Sequence, residues 1–337
     1  MTQDLEPPSK VRRVQEDEAS AYAILGDLAQ AGRLACDLAV ERARTSAAVA
    51  RVPIAGAAVT RCPDGTLKQV ALGNNNRIPP PASEDNDFGY PTDHGETSAI
   101  RAMGSEWDKV DWANTVFATT LSPCVMCTRT IQAAYGLGLR SLVIAESDSF
   151  KGPEDQFDSM AGMRIVRLSL PTVKKMMQVF SRCHPWDWAA DIGEVPPRDS
   201  ALRSLRTTVL SKAATFAKPL TPGSAVVVGP DGSILAEAED GRSRTGNNPC
   251  VASIIAAMGR AGSTVNLREC AVIWATPSST TKLDLVCLGD SSLGALELFK
   301  PPALIVARAP AAKTLELEMP ILEKLSAVGT CVEYVNI

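Results

Sequence analysis

Two short segments of this 337-residue chain carry residues whose types and spacing could do chemistry: His94-Gly95-Glu96, and Pro123-Cys124-Val125-Met126-Cys127. Cys124 and Cys127 are one helical turn apart, so both thiols can face one point. Pro123 suits a helix start, and the partial positive charge at a helix N-terminus favours thiolates. His94, opening a second helix, can supply a third ligand. A catalytic zinc takes three protein ligands and keeps its fourth position for water, whose pKa falls to about 7 there. Glu96, two residues beyond His94, is better placed to touch that water than to act as a ligand. A carboxylate so placed can take a proton and return it elsewhere. A Cys-x-x-Cys pair alone would suit a structural zinc equally well. A structural site recruits a fourth Cys or His, and the only other histidine is His184. Three ligands plus a positioned Glu96 point to Zn2+-assisted hydrolysis.

The elements that must hold these residues follow from periodicity and turn chemistry. Residues 1–18 are polar and Pro/Glu-rich and read as a disordered tail. Ala19 to Ala48 has apolar residues at helical spacing (Ile24, Leu25, Leu28, Leu34, Leu38, Val40) and is predicted as one long helix. Pro53 to Thr60, a Pro63-Asp64-Gly65 turn and Gln69 to Leu72 read as strand, turn, strand. Residues 79–93, rich in Pro and Asp, are expected to be a loop. A helix over 94–103, a strand over 116–120, a helix over 124–135, strands over 142–145 and 164–170, and a helix over 172–190 complete an α/β layered unit.

After a linker at 196–200 the order repeats: a helix at 201–216, strand 225–228, a second Pro-Asp-Gly turn at 230–232, strand 234–236, a helix near 250–260, strand 270–275, a helix near 290–298 and strand 303–307. SAIRAMG (98–104) lines up with SIIAAMG (253–259), which favours duplication. The expected architecture is an α/β layered unit built twice: 19–195 as the zinc-bearing domain and 201–337 as its degenerate copy. In that alignment His94 corresponds to Pro249 and Glu96 to Val251, and Cys287 stands alone. The second half therefore cannot assemble the same site.

Composition narrows the class further. A chain with 45% apolar and 21% charged residues is ordinary globular material, enough for two cores. Aromatics are 5%, so aliphatic side chains must fill most of the interior. The net charge of −4 and the absence of a basic track argue against nucleic acid as a partner. No apolar run approaches a bilayer span, and the N-terminal stretch lacks the apolar core of a signal peptide. A cytoplasmic, reducing compartment is expected, so the nine cysteines read as free thiols or metal ligands.

HGETSAI (94–100), GNNNRI (73–78), TTLSPCVMCTRTIQAAYG (119–136), Glu146 to Lys151 and KKMMQVFSRCHPWDWAADIGE (174–194) together resemble the fungal-type cytosine deaminases of the cytidine deaminase superfamily, over about residues 20–195. The resemblance implies a three-layer α/β/α fold with a mixed central sheet, a Zn2+ cofactor, and hydrolytic deamination of a cytosine-like free base. It implies roles for Asn75 (hydrogen bond to the base), the backbone around Ser122 (contact with the ring), Glu96 (proton shuttle), Asp191 (acceptor from the departing amine) and Phe150, Trp188 and Ile192 (an apolar lid). Each has a plainer alternative: Trp188 and Ile192, at i and i+4, can simply pack, Asp191 can end a helix in solvent, and Asn75 can serve a turn.

One departure concerns the pocket mouth. The segment 79–93, with Phe88, Tyr90, Glu84, Asp85 and Asp87, is longer than its counterpart in that family. It leaves the identity of the heterocycle open between a cytosine-like base, a purine base and a creatinine-type ring. RNA adenosine deamination and a non-catalytic zinc scaffold are the further alternatives. The expected partners are a small heterocyclic substrate and either a second copy of the chain or, as an intramolecular pseudo-dimer, its own second half.

Overall fold

In the computed structural model, five strands of the first half form one sheet: β1 (Ala55–Arg61), β2 (Leu67–Asn74), β3 (Thr115–Thr119), β4 (Ser141–Ile144) and β5 (Arg164–Arg167), in the order β2-β1-β3-β4-β5. The structure describes residues 20–78, 90–245, 247–276, 290–308, 325–327 and 329–336. The expected tail at 1–18, most of the 79–93 loop and Cys287 lie outside them.

β1 runs antiparallel to β2 and β3, while β3, β4 and β5 are parallel. Residues alternate along each strand, so the sheet has two apolar faces. Val59, Val116, Ala118 and Val143 face α1 (Ala29–Ala48), joined by Val173 at the start of α4 (Pro171–Cys183). Ala58, Phe117 and Leu142 face α2 (Gly95–Ala102) and α3 (Val125–Gly136). The result is the three-layer α/β/α arrangement that the family resemblance implies.

Two helices are broken where one was expected. The 19–48 stretch is a 3-10 segment, Tyr22–Leu28, followed by α1, because Gly26 adopts φ 57°, ψ −126° and interrupts the helical hydrogen bonds. The 172–190 stretch divides into α4 and α5 (Pro185–Asp191). Pro185 has no N–H to continue a helix and drives its predecessor out of helical geometry. His184 accordingly sits at φ −129°, ψ 57°.

The second half repeats the plan. β6 (Ala225–Val228), β7 (Ile234–Ala238), β8 (Ala271–Ala275), β9 (Ala303–Arg308) and β10 (Cys331–Asn336) form a sheet in the order β10-β9-β8-β6-β7, with the same strand directions. The likeness extends to an irregularity: one extra residue opposite Ala58/Val59 in the first sheet and opposite Val227/Val228 in the second. β10 was not foreseen from the sequence. The expected 201–216 helix is a series of short α, π and 3-10 turns over 199–217.

The helical layer of one half packs on that of the other. α6 (Ser253–Arg260) and α7 (Asp290–Phe299) cover the second sheet, and α7 lies along α3. Met126 and Cys127 of α3 share one core with Ile254, Met258, Leu293 and Leu296. The contact is intimate because α7 carries Gly294, where a Cβ would stand 2.6 Å from Met126 Cα. Across the same seam Arg129 makes a two-pronged salt bridge to Glu297, at 2.9 and 2.6 Å, and Thr130 shares a 2.7 Å hydrogen bond with Ser291.

Candidate active site and metal centre

His94 and Cys124 occupy equivalent places, each the N-cap of its helix with extended backbone (φ −72°, ψ 168° and φ −65°, ψ 173°). An extended cap turns its side chain across the first helical turn rather than along the outer face. α2 and α3 start side by side above β1 and β3, so the two caps meet. α2 can lie this close to the sheet because Gly95 has no side chain: a Cβ there would be 2.5 Å from the Ala55 Cα.

His94 Nδ1 lies 3.4 Å from Cys124 Sγ. The candidate ligand atoms of His94, Cys124 and Cys127 all fall within 4.8 Å of one another, and all three residues are buried. Tetrahedral zinc with Zn–S near 2.3 Å and Zn–N near 2.0 Å would separate a sulfur and a nitrogen ligand by about 3.5 Å. The donor set therefore fits zinc in kind and spacing. Among the described residues it is the one cluster of this type.

The electrostatics of the cluster agree with a cation-binding role. Burial disfavours the ionised Cys124, but hydrogen bonding with Cys127 and the charge of His94 hold its thiol well below the ordinary value. Burial disfavours charge on His94 too, yet Asp191 and Cys124 outweigh it and lift the imidazole to about 10. Burial, and the hydrogen bond and charge of Cys124, push the Cys127 thiol well above its ordinary value; a divalent ion would favour the thiolate form.

Glu96 projects from the first turn of α2 into the same space. Its Oε2 is 3.2 Å from Cys127 Sγ, and its Oε1 accepts a 2.6 Å hydrogen bond from the Thr119 hydroxyl at the end of β3. Burial raises the carboxyl above its ordinary value, the Cys124 charge adds to this, and the Thr119 bond opposes it. A carboxyl moved toward neutrality is suited to both taking and giving a proton.

Five of the six residues expected to meet a substrate line one small pocket with His94, Glu96 and Cys124: Ser122, Phe150, Trp188, Asp191 and Ile192. Its room is about 10 Å³, roughly one water. Phe150 and Trp188 meet edge to face, ring centroids 5.7 Å apart, across its mouth. Asn75 stands one step further back, where its amide donates to both oxygens of Asp191 at 2.9 and 3.0 Å. Asp191 also approaches His94 Nε2 at 3.5 Å. The Ser122 N–H donates to Glu146 O, and the Ser122 hydroxyl accepts from the Gly152 N–H, which pins the loop carrying Phe150.

Ile54, Leu121 and Thr119 belong to the site and were not anticipated. Ile54 and Leu121 read as ordinary core residues in sequence. Thr119, a hydroxyl at the end of an otherwise apolar strand just before the Cys-x-x-Cys segment, was the one local signal. Tyr90, from the described end of the inserted loop, lies under the Arg101 guanidinium at 5.2 Å, and Arg101 also hydrogen-bonds Asp93.

Comparison with known proteins agrees with this geometry. Residues 31–145 match the cytidine and deoxycytidylate deaminase zinc-binding region. Cytosine deaminase of Candida albicans is 31% identical over 157 residues, 47% of this chain and 93% of that protein. Among solved structures, a tRNA:A34 deaminase, studied for A-to-I editing at the wobble position, is 26% identical over 39% of this chain and 94% of its own, with a TM-score of 0.29. Guanine deaminase from Bacillus subtilis is 21% identical over 46% of this chain and 94% of its own, with a TM-score of 0.25. These two structural overlaps add nothing to what the strand order already establishes. Among the described residues no helix is long and apolar enough to cross a membrane. A His–Cys–Cys cage beneath a buried glutamate, together with these matches, identifies the chain as a member of the cytidine and deoxycytidylate deaminase zinc-binding family, hydrolases acting on C–N bonds with Zn2+ as cofactor.

Proposed function

We propose that the chain hydrolyses the exocyclic amine of a single-ring, cytosine-like base, with His94, Cys124 and Cys127 as the zinc ligands. The observation that carries this reading is the lining of the pocket, where apolar Phe150, Trp188 and Ile192 meet His94, Glu96, Cys124 and Asp191, in a chain 31% identical to a cytosine deaminase over 93% of that protein.

Zinc held by the three ligands would acidify a bound water and so supply the nucleophile. Glu96 takes a proton from the attacking water as the new C–O bond forms. It passes that proton to the adjacent ring nitrogen, then takes the proton of the newly added hydroxyl and delivers it to the amine as the C–N bond breaks and the C=O bond forms. Water and amino-heterocycle become oxo-heterocycle and ammonia. Thr119 holds Glu96 on the side facing the reacting carbon. Asp191 accepts an N–H of the departing amine, and Asn75 fixes the carboxylate in that orientation. Phe150 and Trp188 exclude bulk water.

The 201–337 half acts in this reading as a non-catalytic copy that takes the place of a partner subunit. The shared core around Met126 and the Arg129–Glu297 pair support it, as do Pro249 and Val251 at the positions of His94 and Glu96. The purified protein should elute as a monomer; a requirement for two chains at each active site would count against this.

The substrate is tested by ammonia release from cytosine, 5-methylcytosine, guanine, adenine, creatinine and tRNA. Release from the pyrimidines and not from purines or tRNA is expected. Turnover confined to a purine, creatinine or tRNA would overturn the cytosine-like assignment.

A further inference from the structure

The lid helix α5 has two sides. Trp188, Asp191 and Ile192 face the active-site pocket, whereas Trp186, Ala190 and Gly193 line a separate cleft behind it. The opposite wall of that cleft comes from the second half, through Ser263 to Arg268 and Phe299. Its room is about 30 Å³, enough for roughly two waters or one oxyanion group.

Arg77 reaches into this cleft. The side chain is 4% exposed, and its Nη1 has no hydrogen-bond partner. Its Nη2 donates to Ser263 O at 3.1 Å, which aims the guanidinium at the second half. No carboxylate of the described residues lies within ion-pair distance of it. Asp191 and Asp187 act on it from further away, and burial outweighs them, disfavouring its charge. An unpaired guanidinium nitrogen buried beside a cavity is costly without an acceptor. Arg268 and Thr264 line the same cleft. Trp186, 67% exposed, lines the cleft together with half-buried Val265 and buried Phe299.

We infer that this cleft is an anion-binding site, separate from the catalytic pocket and built jointly by the two halves, in which Arg77 and Arg268 hold a carboxylate or phosphate group of a small ligand. The planar guanidinium fork suits either oxyanion. Any apolar or ring-bearing remainder of the ligand extends past Trp186. Gly193, the last residue of the α5 turn, packs against α7 so closely that a Cβ would fall 2.2 Å from Leu298 O. A ligand in the cleft therefore ties α5 to the second half and restrains the lid from behind.

The test is calorimetric titration of the full-length, zinc-loaded protein with inorganic phosphate and, separately, with benzoate. Wild type should bind at least one of them saturably below 10 mM (an order-of-magnitude ceiling for a two-guanidinium site), and the two arms distinguish phosphate from carboxylate. Arg268→Ala, a change at the cleft rim, should weaken that binding at least about tenfold, the loss of one charge-assisted contact. Arg77→Met should abolish it, with the Arg268 variant carrying the test if that protein fails to fold. Trp186 fluorescence should report the same saturation, and Trp186→Phe should remove the signal. Absence of binding by either anion, or binding unchanged in Arg268→Ala, would overturn the assignment. None of these readouts depends on which heterocycle is deaminated.

Discussion

Replacing Glu297 with alanine should be among the most damaging single changes outside the pocket. Glu297 and Arg129 are 9% and 10% exposed and are joined by hydrogen bonds of 2.6 and 2.9 Å across the seam between the halves. Each charge-assisted bond contributes about 1.5–3 kcal/mol. Truncating one partner strands a buried charge at a cost of about 3–5 kcal/mol. The slight exposure of Arg129 lets some water reach it, so the lower part of that range applies. At roughly 2 °C per kcal/mol for a chain of this size, the melting temperature should fall by about 6–8 °C. Arg129 lies on α3 two residues past Cys127, so the loss should be accompanied by weaker zinc retention. Arg129→Met combined with Glu297→Leu should recover most of the stability, because an apolar pair of similar volume avoids desolvating two ions. Chemical and thermal unfolding of wild type, Glu297→Ala and the double variant, with zinc content measured in parallel, provides the data. A Glu297→Ala protein within about 1 kcal/mol of wild type, or a double variant no better than the single, would refute the reasoning.

Glu96→Ala should lower turnover by at least about 10²–10⁴-fold, the usual worth of a general acid–base, while metal analysis still finds zinc bound. Cys124→Ser should lose zinc and activity together. Gly294→Ala places a methyl group 2.6 Å from Met126 Cα and 3.2 Å from Val125 O. It should destabilise by about 1–3 kcal/mol through overpacking, read as a lower denaturation midpoint. Hydrogen bonding from Arg198, against a smaller effect of burial, keeps the Glu269 carboxyl below its ordinary 4.5. A depressed acid stabilises the fold above its unfolded value and ceases to do so as pH falls through the folded value. Wild type should accordingly lose stability below pH 4.5, and Glu269→Gln should lose less over the same window; identical acid limbs would exclude a role for this pair.

Most of the site's chemistry was legible in the linear chain because its determinants are local. Cys124 and Cys127 share a helical turn, His94 and Glu96 open one helix, and both helix starts follow from short-range stereochemistry. The two Pro-Asp-Gly turns and the repeat around SAIRAMG and SIIAAMG were equally visible. Pro185 is equally local, and the break it imposes between α4 and α5 follows from its missing N–H, whereas Gly26 interrupts its helix only through a backbone conformation that the sequence permits without requiring. β10, at the far edge of the second sheet, is a run rich in β-formers (Val332, Tyr334, Val335) after Gly329, so this strand too is legible in the sequence.

The sequence by itself determined the His94, Cys124 and Cys127 donor set, the place of Glu96 two residues beyond His94, most of the alternation of strands and helices, and the lack of a matching His and Cys set in the second half. Only the tertiary structure decided that Asn75 grips Asp191, 116 positions away. The same holds for Thr119 aligning Glu96, for the helical layers of the two halves sharing one core around Met126, and for Arg77 being left with an unpaired nitrogen behind the lid. The physical reason is range: a helical turn or a β-turn is dictated by neighbouring residues. A contact between distant segments depends on how whole faces pack, which no short stretch of chain encodes.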